Sequence, residues 1–144
     1  MLLNYIEAFR SLNLNKTAAQ GRKPYKTALL LAVIDEIEAG RIQRNQIIIT
    51  PELITTFKYY RQQLGAIGAY NSRHFAYPFY HLKGEGFWRL REKPDLKIKI
   101  TAAGSISGLK HLQDVLAYAS LDASLWELLT IEKTRNILRQ TLLA

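Results

Sequence analysis

The chain has 144 residues, 48% of them apolar, which suits one folded domain over 1–144 rather than a disordered chain. It has no cysteine, which excludes disulfide frameworks, cysteine-zinc sites and thiolate nucleophiles. The formal charge of +8 lies wholly in residues 1–99, with 16 basic and 8 acidic side chains against 4 and 4 in residues 100–144, and such confinement points to a polyanionic partner, nucleic acid first.

Residues 2–13 place Leu2, Tyr5, Ile6, Phe9 and Leu12 at helical spacing. A polar connection over 14–24 follows, with Lys16, Arg22, Lys23 and Pro24. Tyr25 to Ala39 is apolar almost all round and predicts a central buried helix stopped by Gly40, with Asp35, Glu36 and Glu38 as its solvated face. The run Ile47-Ile48-Ile49 has β character. Thr50-Pro51-Glu52 then opens a helix: a capping hydroxyl, a proline in the first turn and an early acid. Leu53, Phe57, Tyr60 and Leu64 form its buried stripe, and Gly65 ends it.

Residues 65–76 read as a loop. Tyr77–Leu82 passes through a Gly84-Glu85-Gly86 turn into Phe87–Arg91, and that run with the alternating residues 96–100 predicts a small antiparallel sheet. Leu109, Leu112, Leu116 and Ala119 share one helical face. Asp122 and Thr130 are expected caps for two closing helices. The expected class is α+β: a helical body of about six helices with a small antiparallel sheet in the middle of the chain.

No apolar run approaches the ~20 residues of a membrane helix, and the N-terminus lacks the basic start of a signal peptide. The expectation is a soluble cytoplasmic protein with no membrane partner. Catalytic signals are sparse. His74, His81 and His111 have no metal-ligand spacing, so no metal and no cofactor is expected, and no serine sits in a nucleophile elbow. Glu85 with Asp95 and Lys97 superficially matches the acid…acid-x-Lys pattern of Mg²⁺ nucleases, but a turn acid and surface charges explain it much better.

The binding signal is denser. Residues 57–88 hold 10 of the 15 aromatic side chains, interleaved with Lys58, Arg61, Arg73 and Lys83, and the only acid between Lys58 and Arg91 is Glu85. Basic residues neutralise phosphates, and loop side chains such as Arg73 and His74 can reach base edges. Phe57, Tyr60, Phe79 and Trp88 fall on core stripes. Tyr77-Pro78 instead reads as a rigid, partly apolar surface step in a basic setting.

Three ordered blocks extend this reading: Gly21 to Asp35 (GRKPYKTALLLAVID), Tyr77 to Leu90 (YPFYHLKGEGFWRL) and Leu116 to Leu129 (LAYASLDASLWELL). Together they resemble the DNA sulfur-binding domain of ScoMcrA-type HNH restriction endonucleases, over nearly the whole chain. The resemblance implies binding of double-stranded DNA carrying a backbone phosphorothioate, as the recognition module of a modification-dependent restriction system. It implies a shallow apolar sulfur cavity at Tyr77, Pro78 and His81, and DNA contacts at Tyr25 and Lys26; the basic group at Arg22 and Lys23, and Arg73 and His74 just before the second block, are expected to add backbone or base contacts. Tyr25 and Thr27 stand where the family has histidine and proline, and a phenol donates a hydrogen bond but cannot become a cation. The chain has no HNH motif, so the resemblance implies binding without cutting, with a fused or separate nuclease domain and room for a homodimer. Two alternatives stay open: a winged-helix-like domain for unmodified DNA, suggested by helices followed by a basic hairpin, and the small Mg²⁺ nuclease above.

Overall fold

The computed structural model describes residues 1–15 and 24–144. Among them are seven α-helices and one two-stranded antiparallel sheet, the α+β arrangement expected. Helix α1 spans Leu2–Asn15, α2 Tyr25–Glu38, α3 Pro51–Gln63 and α4 Arg73–His81, which runs into a 3-10 turn at Leu82–Glu85. Strand β1 is Trp88–Glu92, α5 Leu109–Val115, β2 Leu116–Leu121, α6 Ala123–Thr130 and α7 Glu132–Leu143.

Helix α2 is the hub. Every residue from Thr27 to Ile34 is buried, and α1, α3, α4, α6 and α7 all pack against it. Its apolar circumference therefore faces neighbours on all sides, as a helix without a polar face must. Helix α3 begins as its sequence dictates: Thr50 Oγ1 accepts from the Leu53 N–H at 3.1 Å, and Pro51 needs no donor there.

The acids of α2 only partly meet the expectation of a solvated face: Glu38 is exposed, Asp35 half-buried and Glu36 buried. Asp35 and Glu38 pair with Arg139 of α7, and Glu38 also with Arg135. Glu36 is 1% exposed, gripped by the Arg41 guanidinium and by Thr56 Oγ1, which donates at 2.8 Å. The hydrogen bond from Arg41, followed by that from Thr56, holds the Glu36 carboxyl below its usual range against the opposing effect of burial. A depressed folded-state pKa stabilises the protein above the unfolded value, and the gain is lost as pH falls through the folded value. Glu36→Gln should therefore be less stable than the wild type by about 1–3 kcal/mol at neutral pH. The gap should narrow below about pH 4.5; denaturant melts at pH 3 to 7 read it directly.

Three sequence expectations fail here. The segment read as loop and extended chain over 73–82 is helical. Strand β1 pairs not with residues 96–100 but with β2, in the register Trp88↔Leu121 to Arg91↔Tyr118. Residues 96–100 lie mostly exposed, and two of their amides are met by side chains: Ile98 N–H donates to Glu92 Oε2 at 2.6 Å and Lys99 N–H to His111 Nε2 at 2.9 Å. Finally, the helix expected to run through Leu116 and Ala119 stops at Val115 and becomes β2. Ile47 bridges Ala119 on the other side of β2, with backbone bonds of 2.7 and 2.9 Å. Asn45 extends that edge by imitating backbone, donating to Leu121 O and accepting from Leu121 N–H.

At the closing helices, Asp122 stands at the cap position of α6, but its carboxylate accepts from Tyr5 and Arg89 instead. Thr130 ends α6 rather than capping α7, its hydroxyl donating to Glu127 O at 2.7 Å.

Candidate nucleic-acid interface

An open pocket of about 360 Å³ is lined by Tyr25, Asn71, Arg73, His74 and Tyr77. It forms where the first residue of α2 meets the first turns of α4, two segments nearly fifty residues apart in sequence. Asn71 builds the corner. Its Oδ1 accepts from the Arg73 N–H at 2.9 Å, and its own N–H donates to His74 Nδ1 at 3.2 Å. The His74 ring then stacks on Tyr25, centroids 4.9 Å apart and planes 17° apart, with Tyr70 edge-on at 6.1 Å.

The first amides of α4 are occupied: those of His74, Phe75 and Ala76 donate to Asn71 and Ser72 carbonyls. Attraction for an anion therefore falls to side chains rather than to bare helix N–H groups. Arg73 is exposed, with no ion pair among the described residues. Burial first, and the Arg61 charge second, lower the His74 pKa and so favour the neutral ring.

Tyr77 sits one turn along α4, 37% exposed, its ring edge-on to His81 at 6.3 Å. It gives the pocket an apolar wall. Pro78, expected in the same surface step, is buried inside α4 and does not line the pocket. Successive helical residues point about 100° apart, so Tyr77 and Pro78 cannot share a face. His81 is also outside the lining; its Nε2 lies 2.8 Å from Ser105 Oγ, and burial, then Lys26 and Lys83, lower its pKa. Lys26 Nζ is 2.7 Å from Glu85 Oε2, so its charge is already matched. Arg22 and Lys23 lie outside the described residues.

Of the residues singled out from sequence, the pocket thus gathers Tyr25, Arg73, His74 and Tyr77. Asn71 was missed as one polar residue of a loop. Arg61, named in the sequence among the basic residues between the aromatics, does not line the pocket; it sits four residues after Phe57 on the buried stripe of α3, where a charge is out of place.

The segments behind the two alternatives take other forms in the fold. The hairpin that suggested a winged helix is not formed, because β1 turns to β2. Glu85 is tied to Lys26, while Asp95 occupies an exposed turn with φ 64°. Among the described residues, no helix is long and apolar enough to cross a membrane. In comparisons with known proteins, no family model and no curated protein matches the chain.

Proposed function

We propose that the chain binds double-stranded DNA carrying a phosphorothioate and serves as the reading module of a modification-dependent restriction system. One observation carries the proposal: Tyr25 and Tyr77, which lie in separate blocks of the family resemblance, line one pocket together with Arg73 and His74. In this reading Arg73 meets the phosphate charge, and the rings of Tyr77 and Tyr25 receive the sulfur.

The chemistry favours such an arrangement. Sulfur is larger and more polarizable than oxygen and accepts hydrogen bonds poorly, so it leaves water at little cost. Contact over a few tens of Å² at about 25 cal/mol/Å² contributes on the order of 1 kcal/mol. An ordinary phosphate oxygen placed there loses hydration without replacement, a penalty of about 1–3 kcal/mol. Rejection of the normal backbone supplies most of the discrimination.

The test is affinity for matched duplexes with and without one sulfur. The modified duplex should bind about 10- to 100-fold tighter. Raising salt should weaken both in parallel, because the phosphate contacts are common to both. Equal affinities at every salt concentration would exclude the sulfur reading and leave a general DNA binder.

A further inference from the structure

Arg61 is 6% exposed at the last turn of α3. Its Nη2 donates to the carbonyls of Ile67, Gly68 and Ala69, closest to Gly68 at 2.9 Å, while its Nε is buried with no partner. No carboxylate pairs with it among the described residues, and residues 16–23 contain no acid. The groups around it are aromatic or basic. Its guanidinium carbon lies 6.0 Å from the centroid of the Tyr25 ring, and its charge reaches Tyr70 and His74. Lys58, on the same helix, sits 4.5 Å from the Tyr70 centroid.

A buried cation held only by carbonyls lacks the compensation that buried charges normally have. The Tyr25 ring beside it and the His74 ring stacked on that one both line the pocket. We infer that Arg61 is the fixed cation of this pocket: a positioning residue that holds the loop over 67–69 and whose counter-charge is the bound phosphate. It supplies the permanent positive charge that the phenol of Tyr25 cannot. The inference rests on the anion-binding reading above and goes beyond it in naming the source of the charge.

Two substitutions separate charge from loop support. Arg61→Gln removes the charge but keeps an amide donor for the carbonyls. Arg61→Lys keeps a charge that pH can remove, because a buried ammonium loses its proton more readily. Both leave Leu53 and Phe57 of the α3 stripe in the core. Affinity is measured for the modified and unmodified duplexes from pH 6 to 9.5. Arg61→Gln should weaken both by about tenfold and equally. Arg61→Lys should match the wild type at pH 6 and fall to the glutamine level as pH rises, while the permanently charged wild type does not follow it. By NMR, the His74 pKa should rise in Arg61→Gln.

Lysine and glutamine variants that coincide throughout, or that both match the wild type, overturn the inference. If the glutamine variant does not fold, the lysine profile decides alone: one parallel to the wild type overturns it. If the wild type binds neither duplex, the nucleic-acid reading fails, and an unchanged His74 pKa in Arg61→Gln overturns the role of Arg61 as well. If sulfur makes no difference yet Arg61→Gln weakens both duplexes, only the sulfur reading fails.

Discussion

Tyr77→Ala is expected to bring the affinities for sulfur-bearing and ordinary duplexes together, from about 10- to 100-fold apart to within about threefold. Two effects act in the same direction. Removing the ring takes away apolar contact with sulfur, worth on the order of 1 kcal/mol. It also admits water to the pocket wall, so that an ordinary phosphate oxygen keeps its hydration and its penalty disappears. Binding of the unmodified duplex should tighten as that penalty goes and binding of the modified duplex should weaken, while Arg73 and the buried Arg61 still supply the attraction for phosphate. The variant should fold normally: Tyr77 is 37% exposed, and exposed substitutions seldom cost more than about 0.5 kcal/mol. Tyr77→Phe keeps the ring carbons and should keep the discrimination. A Tyr77→Ala protein that still prefers the modified duplex as strongly as the wild type would place the sulfur elsewhere.

Tyr77 stands on a helix the sequence did not reveal. Helices α2 and α3 were legible because apolar positions and breakers agree: Gly40 and Gly65 follow them with φ of 80°, and Thr50-Pro51 opens the second. Helix α4 was hidden by Pro78 in its interior and by a run of aromatic residues that also suits a strand. Tertiary packing decides it, since Phe75, Ala76, Phe79 and Tyr80 are all buried.

The opposite error at β2 has a different cause. The register slips between Arg91↔Tyr118 and Glu92↔Leu116, leaving Ala117 as an extra residue. The slip puts Leu116 and Ala119 both inward, three apart, and three is a helical spacing. A bulge thus imitated the helix signal. The site was half legible for a related reason. Local pattern marks rings and charges but not which segments meet, so it singled out Tyr25, Arg73, His74 and Tyr77 without placing them around one pocket. It also credited Lys26, whose charge Glu85 matches, and Pro78, which the turn of the helix buries.

The largest loss of stability should follow Trp88→Ala, about 3–5 kcal/mol. In a chain of this size that lowers the melting temperature by about 10 °C or more. Trp88 is 1% exposed in β1, its ring edge-on to Phe79 at 5.3 Å and 87°. Its indole Nε1–H donates to the Phe79 carbonyl at 2.9 Å. That carbonyl belongs to the last turn of α4, where helical partners run out. A nine-residue helix containing a proline does not persist by itself, so α4 keeps its position through contacts of this kind. Trp88→Phe separates the two contributions. It retains most of the apolar contact and removes the donor, leaving a buried carbonyl unmet, which costs about 1–3 kcal/mol. Phe75, stacked on Phe79 at 5.7 Å, directly follows His74 in the chain, so the pocket and the tryptophan share one support. Trp88→Phe should therefore weaken binding of both duplexes alike, without altering the preference for sulfur. If it changes that preference while Tyr77→Ala does not, the discriminating surface lies toward the sheet rather than at the Tyr25–Tyr77 pocket.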